Sequence, residues 1–180
     1  AARRAVITSQ VLTAADEALV PAAPVLTRAD GGAGPMPTNA LRFVSSAFGG
    51  KNGASFAAMK WRLAEVTDPA AAGYQAYDRS TPRAYEAVAS WESPEITAFT
   101  SEMTFPAVGA RPGATYRARV KHKDSTGRWS HWSAPVPFAA AEPEEMLIDE
   151  VEAIWAAVDR DDDWAPFHAK VAAIRRMGEA

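Results

Sequence analysis

Thr115-Tyr116-Arg117-Ala118-Arg119-Val120-Lys121-His122-Lys123-Asp124-Ser125-Thr126-Gly127-Arg128-Trp129-Ser130-His131-Trp132-Ser133-Ala134-Pro135 is the stretch that decides the fold. Tyr116, Ala118 and Val120 alternate with Arg117, Arg119 and Lys121, the period of a half-buried strand. Asp124-Ser125-Thr126-Gly127 reads as a hairpin turn, and the chain returns over residues 129–138. Trp129 and Trp132 are three apart. In a regular strand they would point to opposite faces; in a polyproline-II-like segment, with three residues per turn, they point the same way. Both indoles then lie over the outward row of Arg117, Arg119 and Lys121. A guanidinium between two indole faces forms a cation–π stack worth ~0.5–2 kcal/mol per contact. Ser130 and Ser133 are placed to hydrogen-bond a neighbouring backbone where the ladder is distorted.

Working outward, the same texture continues upstream. Pro24-Val25-Leu26-Thr27 is a short strand, residues 31–37 a Gly/Pro-rich loop, and Leu41, Phe43 and Val44 begin a second strand. Gly49-Gly50-Lys51-Asn52-Gly53 is a turn. Met59, Trp61 and Leu63 alternate with Lys60, Arg62 and Ala64; Tyr85, Ala87, Ala89 and Trp91 alternate again after a long 67–83 loop; residues 99–105 supply a further short strand. Seven short strands separated by turn signals predict a mainly β fold, a seven-stranded immunoglobulin-like antiparallel sandwich over residues 21–140. Residues 1–20 are Ala-rich and read as an extended lead-in or linker, with a short helical turn over residues 11–18 as the alternative. Residues 141–180 read as a two-helix tail: acids and a proline at 142–145 mark a helix start. Ile148, Val151, Ile154, Trp155 and Val158 form one stripe, and Phe167, Val171, Ile174 and Met177 a second. These stripes, with Trp164, must cover something: the sandwich or a neighbouring module.

Composition narrows the function. Of 180 residues, 48% are apolar and 23% charged, as in a chain that folds. A net charge of −3 argues against nucleic acid as a partner. With no cysteine, disulfide scaffolds, Cys-based zinc sites and thiol nucleophiles are excluded. No stretch approaches the roughly 18–20 apolar residues of a membrane span. The start, Ala1-Ala2-Arg3-Arg4-Ala5-Val6-Ile7, is a poor signal peptide, and the sequence reads as a fragment of a longer or processed protein.

Trp129-Ser130-His131-Trp132-Ser133 resembles the WSxWS box of fibronectin type III-like domains, best known in type I cytokine receptors. Gly113-Ala114-Thr115-Tyr116-Arg117-Ala118-Arg119-Val120 is similar to the Gly-x-x-Tyr-x-x-x-Val run of the same fold. That resemblance implies that Tyr116 is a tyrosine-corner residue whose hydroxyl bonds back to backbone near the preceding turn. It also implies that the box is mainly structural. The texture is most similar to that of bacterial extracellular multidomain proteins, where such a module precedes lamin-tail-like or spore-coat-kinase-like modules. The implied function is a non-catalytic structural or protein-interaction module of a secreted or cell-surface protein. Its partners would be neighbouring domains or other proteins. The alternative is an accessory, glycan-contacting module of an extracellular enzyme whose catalytic domain lies elsewhere. The absence of cysteine pairs, the long 67–83 loop and the helical tail depart from the receptor pattern.

No catalytic, cofactor or metal constellation emerges. His122 and His131 would face each other across the hairpin near Asp124; surface strand positions are the simpler expectation. Glu92 and Glu95 beside Trp91 read as solvated loop acids rather than a carboxylate pair. Asp159-Arg160-Asp161-Asp162-Asp163 lacks the Gly and distal Glu of an EF-hand loop and reads as a helix–helix connection with Asp163 capping the second helix. There is no G-x-S-x-G, G-x-G-x-x-G or Walker-type loop. Tyr74, Tyr77 and Trp91, with Tyr85, are candidates to contact a partner, and packing of the loop tyrosines over the sandwich edge is the equal alternative.

Overall fold

The structure, a computed structural model, describes residues 13–70, 83–144 and 148–178. Its elements in chain order are α1 (Ala14–Glu17), β1 (Leu26–Arg28), β2 (Met36–Pro37), β3 (Arg42–Ser45), β4 (Phe56–Val66), β5 (Trp91–Glu92), β6 (Glu102–Thr104), β7 (Thr115–Asp124), β8 (Val136–Ala141), α2 (Ile148–Asp161) and α3 (Ala165–Gly178). The strands form two sheets, β1-β3-β6 and β2-β8-β7-β4-β5. All pairings are antiparallel except the parallel contact of β2 with β8. The chain is therefore mainly β, with a helical part at its C-terminal end.

Alternation sets the core. Along β7, Tyr116, Ala118, Val120, His122 and Asp124 are buried while Arg117, Arg119, Lys121 and Lys123 are not. Along β4, Met59, Trp61 and Leu63 point inward opposite them. Phe43 from the other sheet meets both layers, its ring 5.1 Å from Phe105 and 5.5 Å from Phe138. Trp61, Phe43 and Leu63 are completely buried, each such side chain contributing about 1.5–3 kcal/mol by removal from water.

Several expectations need correction. The strand expected over residues 85–91 is confined to Trp91–Glu92. Upstream of it the chain turns, and Tyr85 is 66% exposed. The reason is side-chain capture of the backbone: the Arg62 guanidinium donates to the carbonyls of Glu86 at 2.7 Å and Ala87 at 3.0 Å. The loop expected at 31–37 yields β2, and β8 runs to Ala141, with α2, the first helix described in the tail, beginning at Ile148. The lead-in also has structure from Thr13 onward. Thr13 and Asp16 form a capping box on α1, Val20 is buried, and the Ala22 N–H donates to the Gly49 carbonyl at 2.9 Å.

In the tail, Asp162 adopts a left-handed φ of 51° at the end of α2. The Asp163 carboxylate accepts the Ala165 N–H at 2.9 Å at the start of α3. Trp155 and Trp164 meet at 6.3 Å between ring centroids, yet are 56% and 42% exposed. No helix among the described residues is long and apolar enough to cross a membrane.

Candidate functional site

The return from the Asp124–Gly127 turn leaves the β ladder almost at once. Lys123 bridges Trp129, and regular pairing resumes only at Ala118 with Val136. Between these points the chain from residue 130 to 135 has more residues than the β7 stretch it faces, 119 to 122, so ordinary register cannot hold. Two serines take over. The Ser130 amide donates to the His122 carbonyl at 2.7 Å, and its Oγ accepts the His122 N–H at 3.0 Å. The Ser133 amide donates to the Val120 carbonyl at 2.8 Å, and its Oγ accepts the Val120 N–H at 3.2 Å. Both serines are buried. Each hydroxyl supplies the acceptor that the turned-away carbonyl of its own residue does not.

On the outer side the same segment builds a stack. The Lys121 ammonium lies 4.6 Å from the ring centroids of both Trp129 and Trp132. Lys123 approaches Trp129 at 5.4 Å, and the Arg62 guanidinium approaches Trp132 at 5.9 Å. The cation between the indoles is therefore a lysine rather than a guanidinium. Arg117 and Arg119 turn to Glu86, which both of them bond, and Arg119 Nη1 also donates to the Ser133 carbonyl at 2.7 Å. Those bonds, Arg119's first, hold the Glu86 carboxyl below its ordinary range. Burial lowers the Lys121 pKa, with Lys60 and Arg62 adding to the effect and Glu92 opposing it.

Tyr116 is buried, and its hydroxyl accepts the Arg111 N–H at 2.9 Å, five residues upstream. Burial pushes its pKa up.

The histidines are not brought together. His122 is completely buried, which corrects the surface placement expected from sequence. It points inward because it shares the face of Tyr116 and Val120, and it is ringed by Phe48, Phe56 and Phe99 at 5.7–6.0 Å between centroids. Its Nε2 meets Ser45 Oγ at 3.1 Å, and its Nδ1 has no partner among the described residues. Burial lowers its pKa. His131 is exposed and bonds Glu17 at 2.8 Å. Asp124 tightens the turn, its carboxylate accepting from the Thr126 hydroxyl and from the Thr126 and Arg128 amides. Burial pushes that carboxyl up, but these bonds outweigh it and leave it below its ordinary range.

Glu92 pairs with Lys60 at 3.4 Å and Glu95 with Lys123 at 3.1 Å. Trp91 is half-buried, its ring 5.1 Å from Phe105. Tyr74 and Tyr77 lie outside the described residues. No cluster of three or more His, Asp or Glu side chains that could hold a metal occurs among the described residues. Sequence reasoning missed Glu86 and Ser45. Glu86 carries the signal of an unexplained acid inside an apolar alternation; Ser45 carries none.

No protein family matches the chain by sequence, and no curated protein does. Among solved structures, the chain is similar to one described as "Myokine structure", at 15% identity over 69% of this chain and 99% of that chain. The TM-score is 0.39, so the likeness carries no argument.

Proposed function

We propose that this chain is a fibronectin type III-like sandwich serving as a non-catalytic structural or protein-interaction module of a secreted or cell-surface multidomain bacterial protein. Set apart from the two-residue β2, three antiparallel strands, β1-β3-β6, and four, β8-β7-β4-β5, make up its two sheets. That division and the Tyr116 hydroxyl bonded to backbone five residues back both fit the reading. The observation that carries it is the direction of the distinctive side chains. Ser130 and Ser133 bond the strand β7 backbone, while Trp129 and Trp132 close on Lys121. A segment so engaged stiffens a module whose outer surfaces meet its neighbours.

The test is thermal denaturation of the full chain with and without a panel of neutral and acidic oligosaccharides. The proposal expects an unchanged midpoint. Ligand at a hundred times its dissociation constant adds about 2.7 kcal/mol, which a melt resolves easily. A rise that disappears in Trp91→Ala would replace this reading with that of a carbohydrate-contacting accessory module.

A further inference from the structure

The outer face of the β4–β7 pair sets cation against cation. Lys60 lies across from Lys121, and Arg62 across from Arg119, with Arg117 and Lys123 extending the row. Like charges directly opposite one another destabilise a sheet. Glu86, Glu92 and Glu95 offset half of these six charges, leaving a net of +3 on this face. The opposite sign collects elsewhere. Residues 142–180 contain four basic and eleven acidic side chains, a net of −7, which leaves +4 for residues 1–141 of a chain whose total is −3. This acidic tail also presents Trp155 and Trp164, packed edge to face and both exposed. Adjacent exposed tryptophans are uncommon on a monomer's surface and common at interfaces.

A chain's tail does not reach its own cationic face. Ala173 of α3 and Glu144 line a cavity with Arg42, Val44 and Glu102. Arg42, Val44 and Glu102 lie on the outer side of β1-β3-β6, whereas the cationic row faces out from the other sheet. The complementary surfaces therefore sit on opposite sides of the molecule. We infer that the acidic, tryptophan-bearing α2–α3 pair of one chain docks on the cationic β4–β7 face of a second copy. Donor and acceptor patches differ, so the contact is head-to-tail, and it extends into longer assemblies unless a ring closes. This inference rests on the reading of the chain as a protein-interaction module.

Sedimentation velocity of the full chain over a concentration series, in about 0.05 M and about 0.5 M salt, tests it. The expected result is a weight-average mass that at least doubles with concentration at low salt and returns to the monomer value at high salt. Lys60→Glu with Lys123→Glu, and separately Trp155→Ser with Trp164→Ser, should each leave monomers while keeping a cooperative melt. Mixing the two variants should restore a species that stops at the dimer, because the mixture retains one intact face and one intact tail. A wild-type chain that stays monomeric at low salt overturns the inference, as does an assembly that survives the lysine reversals or high salt. None of these results bears on glycan binding, so this inference can fail while the functional reading stands.

Discussion

Ser133→Ala isolates the repair of the broken ladder in a single oxygen atom. Ser133 is completely buried. Its Oγ accepts the Val120 N–H at 3.2 Å, while its own N–H donates to the Val120 carbonyl at 2.8 Å. Alanine keeps the second bond and removes the first, stranding the Val120 N–H in a site without water. An unsatisfied buried donor costs about 1–3 kcal/mol, and the length of the bond places this case in the lower half, about 1–2 kcal/mol. For a domain of this size, 1 kcal/mol moves the midpoint by roughly 4 °C, so the melt should fall by about 4–8 °C. Ser130→Ala repeats the experiment one step along the segment, where Oγ accepts the His122 N–H at 3.0 Å, and should fall by at least as much. Ala134→Ser, at an exposed position of the same segment, is the control. Thermal denaturation at neutral pH, followed by circular dichroism and calorimetry, reads all three. Midpoints within about 1 °C of wild type for both alanine variants, some 0.25 kcal/mol by the same conversion, would refute the repair.

Three further outcomes follow from the same geometry. Tyr116→Phe removes the acceptor of the Arg111 N–H and should lower stability by about 1 kcal/mol in denaturant titration, with the fold retained. Glu86→Gln removes the charge that holds Arg117 and Arg119 and should cost about 1–2 kcal/mol in a partly screened site; because the folded Glu86 pKa is depressed, the wild-type advantage is present above the ordinary carboxylate range and lost as pH falls through the depressed value. His122 has a folded pKa lowered from 6.5 by burial, so on acidification the unfolded chain takes up the proton first. Its contribution is complete above about pH 6.5 and declines below it until the folded histidine protonates; melts across that range should slope for wild type and flatten for His122→Met.

Alternation made the long strands legible. The β7 residues, and those of β4 from Met59 to Leu63, alternate in burial as they do in sequence, because each lies in a continuous ladder where the side-chain period is fixed at two; Ala64, expected to face outward, is buried as well. The segment at 85–91 alternates just as regularly, but its carbonyls are taken by Arg62, and nothing in its own composition announces an arginine more than twenty residues away. The two-residue β2 is invisible for a related reason: Met36 and Pro37 pair with Ala140 and Ala141 only because β8 passes there. At the site, the spacing of Trp129, Ser130, Trp132 and Ser133 specified which groups act together but not which cation they enclose. Arg119 is diverted by Glu86 and by the Ser133 carbonyl, and that competition exists only after folding. His122 shows the converse. Its alternation placed it on the face of Tyr116 and Val120, and the period was a better guide than the polarity of the residue.

One geometric relation accounts for both sides of the returning segment. From Ser130 to Ser133 the chain advances three residues while its partners on β7, His122 and Val120, are two apart. A step of three returns a side chain to the same side of the segment. The serines therefore both reach inward to the β7 backbone, and Trp129 and Trp132, also three apart, both lie outward. The residue of β7 between His122 and Val120 is Lys121, whose side chain points outward and emerges between the two indoles. Enclosure of the lysine and repair of the ladder are thus one consequence of a three-for-two register. On its other edge β7 pairs with β4, which sets Lys60 opposite Lys121. Lys121 therefore belongs both to the repaired segment and to the cationic row that should draw an acidic partner.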